Sequence, residues 1–211
     1  MKKIILLFLV VFKIFLLNST QSLAESPKNY LKGKFYNSIK NHFLISSKDM
    51  MDGRFAKTVI LMLKNDEKGS WGLVINKPIG FIPLSSLIDP SLINENKKEL
   101  SEINIPIFWG GPVDTSVIFI LHSTDYQSSS TKKYGDVAIS QDYEILINIA
   151  KNKGPKNSLV ILGYAGWGDG QLEGEMEREM WVLSEVNTNL IFQKDSKEKW
   201  IKAYKKSFIK L

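Results

Sequence analysis

The sequence predicts an α+β domain built on a mixed, mainly antiparallel sheet. Three observations carry this. Two runs of β-forming residues flank a polar, turn-rich stretch, as in a hairpin. Helical patterns occur singly, with a strand–helix unit only late in the chain. Strands and helices do not alternate as a doubly wound parallel sheet requires. There is no internal repeat or heptad pattern.

Residues 1–24 read as a secretory signal peptide: Lys2 and Lys3, then apolar Ile4 to Leu17 interrupted by Lys13, then a small, polar end with Ser22 and Ala24 at the −3 and −1 places of a cleavage site. The 14-residue apolar run is short of the ~20 residues that span a bilayer, so cleavage after Ala24 and a periplasmic destination are expected. An uncleaved anchor, the alternative, would be the chain's one contact with a membrane. The segment holds three lysines and no acid, so its loss takes the formal charge from +6 to +3. The remaining positive charge is spread over many segments, a poor footprint for nucleic acid. Cysteine is absent, which excludes disulfides, thiolate metal sites and a thiol nucleophile.

Residues 25–39 read as a polar tether, and residues 40–211 as one domain. Lys57 to Leu63 and Trp71 to Ile75 are the hairpin strands, and Lys77-Pro78 stops the second, because proline lacks a ladder donor. Pro83 to Ile88 reads as a short helix, and Asp89 to Glu102 as a charged connection. Ile105 to Trp109 and Val117 to Leu121 are strands around the turn signal Gly110-Gly111-Pro112. Thr124 to Gly135 is a polar loop, and Val137 to Ile139 a short strand. Ser140 or Asp142 caps a helix through Ile145, Leu146, Ile149 and Ala150, which Lys153-Gly154-Pro155 ends. Leu159 to Leu162 is a buried strand. Ser196 caps a final helix with Trp200, Ile201, Tyr204 and Phe208 at helical spacing. Its lysines (Lys197, Lys199, Lys202, Lys205, Lys206 and Lys210) form a solvated side, with weak attraction to anionic lipid as the lesser option.

The most unusual segment is Gly163 to Leu172, read as a glycine-rich turn between that strand and a helix from about Asp169 to Met180. Such a turn can cradle phosphate. Here no lysine follows it, and Glu173, Glu175 and Glu177 near the helix start would repel an anion. Two readings stay open: glycines that permit tight backbone under Tyr164, Trp167 and Trp181, or a ligand-contacting loop. The two histidines, His42 and His122, show no metal-ligand spacing. His122 and Ser123, adjacent on a strand, point to opposite faces and cannot pair as base and nucleophile, so His122 is expected as a polar residue at the strand's mouth. Asp49, Asp52 and Arg54 suit capping and a surface ion pair better than acid–base work.

The chain is similar to the YqgE/AlgH family of bacterial proteins. The resemblance rests on Phe43-Leu44-Ile45-Ser46 with Met51, Asp52, Phe55, Thr58 and Val59; on Gly72 to Pro78; on Gly110-Gly111-Pro112-Val113; on Leu121-His122-Ser123; and on Gly163-Tyr164-Ala165-Gly166-Trp167-Gly168, Gly170 to Glu173 and Trp181. It spans about residues 40 to 208. It implies a sheet curled into a partial barrel with helices packed outside, and carries no established catalytic residue. One branch bears a transcriptional-regulator label connected with exopolysaccharide production. Ser46-Ser47-Lys48 departs from the family's usual Ala-Met-Pro-like stretch, and the typical member lacks a signal peptide.

The reading favoured is therefore a non-enzymatic binding or interaction domain with no cofactor, no metal and no nucleic acid, whose partner is an unknown protein or small molecule. Its expected surface is Asp52, Asn76, His122, Tyr164, Gly166, Trp167, Gly168 and Gly170. A hydrolase or transferase using Asp52, His122 or the glycine-rich segment is the second reading, and a transcriptional regulator the third.

Overall fold

A computed structural model describes residues 39–89 and 102–207. The expected signal segment, most of the expected tether, most of the 89–102 connection, Phe208 and Lys210 lie outside the described residues. Ten strands form one curled sheet: β1 His42–Ser46, β2 Val59–Asp66, β3 Gly69–Val74, β4 Pro78–Pro83, β5 Asn104–Trp109, β6 Val113–Ser123, β7 Lys132–Tyr134, β8 Val137–Ser140, β9 Ser158–Trp167 and β10 Trp181–Glu185. Among the described residues the complete helices are α1 Tyr143–Ala150, α2 Gln171–Glu177, α3 Thr188–Ile191 and α4 Ser196–Lys206, with a 3-10 turn at Leu84–Ser86. The order is β10-β1-β2-β3-β9-β6-β8-β7, with β5 on β9 and β4 on β5. Among the described residues only β5 runs parallel to its neighbour β9, through Ile107↔Val160 to Trp109↔Leu162. The sheet is thus mixed and mainly antiparallel, curled into a half-barrel, as the sequence and the resemblance lead one to expect.

One face is common to both halves of the sheet. Phe43, Ile45, Val59, Leu61 and Leu73 meet Phe119, Leu121, Val137 and Ile161 there, and Leu190, Ile191, Trp200 and Ala203 of α3 and α4 pack against them. The opposite face carries two separate cores. Leu44, Ile60, Met62 and Trp181 lie under Leu172 and Met176 of α2, while Ile107, Ile120 and Val160 lie under Ile145 and Leu146 of α1. Residues of β2 point alternately to both faces. It therefore buries five consecutive apolar residues, Val59 to Leu63, each at most 2 % exposed. At roughly 1.5–3 kcal/mol per buried side chain, this strand is a principal anchor of the fold. Ile39, placed at the end of the expected tether, is fully buried beside Leu44 and Met62, so it belongs to the packed domain.

Several expectations are corrected. Strand β2 starts at Val59 rather than Lys57, because Lys57 sits at φ 53. The polar hairpin stretch is mostly strand, and Asp66↔Gly69 closes a tight turn. Pro78 opens a strand: β4 pairs only with β5, and an edge strand tolerates proline. The loop before Val137 contains β7, and β1, β10 and α3 carry no sequence pattern strong enough to announce them. Asp142, not Ser140, caps α1 by accepting from the Ile145 N–H. Asp195, not Ser196, caps α4, accepting from Lys197 and Glu198.

The largest correction concerns the glycine-rich segment. Strand β9 runs through it to Trp167, and the helix that follows is only Gln171–Glu177. Gly163, at φ 70, interrupts the strand's alternation. Leu159 and Ile161 face the common core before it; Tyr164 does so after it, while Ala165 and Trp167 face the core under α2. One left-handed glycine thus inverts which residues of β9 point where.

Lys199 contradicts the picture of a wholly solvated lysine face on α4. It is fully buried. Its Nζ donates to the Ile75 carbonyl at 2.9 Å and the Ile191 carbonyl at 2.6 Å, tying α3 and α4 to the end of β3. Burial lowers its pKa from 10.5 to about 8.

Candidate functional site

A cleft of about 560 Å³ opens where β3, β9 and β6 lie side by side. Its aromatic wall is Trp71, Phe119 and Tyr164, whose ring centroids are 5.7, 5.9 and 6.2 Å apart in tilted and edge-on arrangements. These are the separations at which aromatic rings attract one another. The cleft exists because of a missing side chain. Trp71 stands opposite Gly166 in the β3–β9 register, so no side chain from that position fills the space across from it. A methyl group on Gly166 would lie 3.1 Å from the Tyr164 ring and 3.7 Å from Val113. Lys64 and Lys68 from the β2–β3 hairpin, Gln141 and the buried Ser70 add polar groups, and no carboxylate lines the cleft. Its size lies within the ~300–1,000 Å³ typical of small-molecule sites.

Of the residues expected to form a binding surface, Tyr164, Gly166 and Trp167 line this cleft. Trp167 is not an exposed platform: it is 7 % exposed. Its indole N–H donates to Glu175 Oε2 at 3.0 Å, and that same oxygen accepts from Trp181 at 2.7 Å. The two indoles meet edge-on at 5.9 Å. Glu175 thus holds α2 against the sheet rather than only answering the helix dipole. Gly168 and Gly170 follow the strand. The Gly168 N–H donates to the Gln171 side chain at 3.2 Å, and Gly170 precedes α2.

The remaining expected residues lie in two other places. Asn76 is buried at the head of the β2–β3 pair. Its Oδ1 accepts from the Val59 N–H at 2.8 Å, and its Nδ2 donates to the Lys57 carbonyl at 2.9 Å. It fixes backbone. Asp52 is paired with Arg54 through Nε and Nη2, the latter at 2.7 Å, and the guanidinium hydrogen bond holds the carboxylate below its ordinary pKa.

His122 is fully buried rather than at a strand's mouth. Its Nδ1 lies 2.8 Å from the Ser123 carbonyl, and its Nε2 lies 3.0 Å from Ser140 Oγ. Burial pushes its pKa down, against the pull of that carbonyl and of Asp125 and Asp142. Ser140 Oγ is 2.7 Å from Thr131 Oγ1, and Asp142 accepts from Ser128 and Ser130. The pairing resembles a histidine base beside a serine, but both residues are 0 % exposed. A substrate cannot reach a sealed hydroxyl, so this network stitches the 128–131 loop to β8. Among the described residues no cluster of three or more metal-ligating side chains occurs.

Sequence reasoning missed Lys64, Lys68, Trp71, Phe119 and Gln141 as cleft residues. They come from three separate segments and meet only through the strand order. The one available signal was Trp71, a large aromatic set directly after a lysine-containing turn.

The model of the AlgH-like family (DUF179) matches residues 43–211. A UPF0301 protein of Rickettsia akari is 35% identical over 174 residues, covering 82% of this chain and 90% of its own length. A UPF0301 protein of Stutzerimonas stutzeri is 36% identical over 154 residues, with 73% and 80% covered. The solution structure of AlgH from Pseudomonas aeruginosa is similar with a TM-score of 0.66 at 34% identity, over 80% of this chain and 88% of that one. A Corynebacterium diphtheriae protein shares the fold at 15% identity and a TM-score of 0.53, over 72% of this chain and 78% of that one.

Proposed function

The chain belongs to the AlgH-like family, and from that premise we propose that it is an exported, non-enzymatic domain that binds a small molecule in the cleft between β3, β9 and β6. The observation that carries this reading is the cleft itself: an open aromatic wall beside a glycine, with polar groups at its edge. Aromatic surface left partly open to solvent gains when a ligand covers it. A fragment library titrated against the ¹⁵N-labelled protein tests the reading. Amide shifts should cluster at Ser70, Trp71, Tyr164 and Gly166, and Trp71→Ala should weaken the hits at least about tenfold, or ~1.4 kcal/mol. Shifts confined to other surfaces, or none at all, would remove the cleft from consideration.

Export is supported by the order of charges and apolar residues in 1–24. Intact mass of the protein from its native host should correspond to a chain beginning at Glu25. A mass that includes Met1 would overturn the cleaved, periplasmic form.

A further inference from the structure

We propose that the cleft selects small planar aromatic anions, the ring lying against Trp71 and Tyr164 and the acidic group meeting Lys68. This rests on the cleft being the binding site, and goes beyond it by naming the ligand class. Three observations point to both a ring and a charge. First, the residue across from Trp71 is Gly166, which has no side chain, so the cleft is open to a ring at that position. A methyl group on Gly166 already comes within 3.1 Å of the Tyr164 ring and 3.7 Å of Val113, so a thin ligand suits the space better than a branched one. Aromatic stacking contributes in proportion to the faces covered.

Second, the two lysines are not equivalent. Lys64 Nζ is already paired with Asp66 at 3.0 Å. Lys68 donates its backbone N–H to that carboxylate at 2.9 Å, and its ammonium adds a coulombic pull on Asp66 without closing an ion-pair contact. Its ammonium makes no ion pair among the described residues. Third, the lining holds no carboxylate, and with Lys64 offset by Asp66 the remaining cation is Lys68, so the field at that edge favours an anion. Ser70 Oγ is engaged with Asn65, which leaves Lys68 and the Gln141 side chain to meet the acidic group.

The pairing with Lys68 is exposed to solvent, so its selectivity is modest and salt-dependent. NMR titrations of the full chain should use indole-3-acetate against indole-3-acetamide, AMP against adenosine, and ribose 5-phosphate as an anion without a ring. At low ionic strength each aromatic anion should bind about fivefold more tightly than its neutral counterpart, with shifts at the cleft. The margin should shrink at high salt. Lys68→Gln, at an exposed position, should erase the margin between each anion and its neutral counterpart. Equal binding of neutral and anionic partners would overturn the charge selection and leave the cleft reading standing. Ribose 5-phosphate binding as tightly as AMP would overturn the aromatic part. Failure of every probe, together with a fragment screen silent at the cleft, would sink both readings at once.

Discussion

Gly111→Ala is expected to unfold the domain or to cost on the order of 3–5 kcal/mol, a large part of the ~5–15 kcal/mol by which such domains are stable. The chain between β5 and β6 crosses the backbone of β9 here. A Cβ on Gly111 would stand 2.1 Å from the Tyr164 carbonyl carbon and 2.2 Å from the Ala165 nitrogen, against backbone that cannot swing aside. Its φ of 148 is a second obstacle for an L-residue. Relief requires moving the strands apart. That would strain the Gly110 N–H bond to the Leu162 carbonyl at 2.8 Å and the Val74 N–H bond to the Gly110 carbonyl at 3.0 Å. Urea denaturation checks the expectation, with Gly168→Ala as the control, since a Cβ there meets nothing within 4 Å. A Gly111→Ala midpoint equal to that of the control would show that the crossing can open cheaply.

The second large effect is a rise of stability with pH, traced to Lys199. In the unfolded chain its ammonium loses its proton near 10.5, and in the fold near 8. Below about pH 8 both states hold the proton, and the fold bears the full cost of a buried charge, about 3 kcal/mol. Between about 8 and 10.5 the unfolded state binds more protons than the native one, so stability increases with pH. From pH 7.5 to 9.5 the parent should gain about 2 kcal/mol from this group. Lys199→Met keeps most of the volume and removes this titration, so its gain over the same interval should be about 2 kcal/mol smaller than the parent's, leaving what Lys77, whose pKa burial also lowers, supplies. A parent protein with flat stability over that range would show that the ammonium is better solvated than its two carbonyl partners imply.

How far the fold is legible in the sequence depends on where each element's cause resides. The β2 run Val59 to Leu63, the α1 periodicity with its Asp142 cap, and the β5 strand before Gly110-Gly111 are local signals, and they read correctly to within a few residues. The glycine-rich segment misleads because Gly163 has the same local signature in a turn as in a strand that switches faces. Only Val113 paired across from Tyr164 decides between them. Lys199 reads as one more surface lysine until Ile75, far away in sequence, supplies its carbonyl. The candidate site follows the same rule. Tyr164, Gly166 and Trp167 could be singled out by composition, but the wall facing them comes from Trp71 on β3 and Phe119 on β6, which neighbour β9 only in the finished sheet. His122 stands out in the sequence as one of two histidines, and Asn76 through the family resemblance. Their chemistry is spent on backbone and hydroxyl partners.

The pairing of β1 with β10 carries a consequence for synthesis. β1, from His42, has β2 on one side, but its other partner is not made until Trp181 to Glu185. β9, which joins the two halves, arrives only at Ser158. A ribosome extending this chain therefore releases β-strands that must wait, with apolar faces uncovered, for more than half of the polypeptide to follow. Such late, long-range pairing is slow and leaves sticky edges exposed. The sheet of the newborn protein is thus completed only late, and whatever accompanies it before residue 185 emerges meets an unfinished sheet.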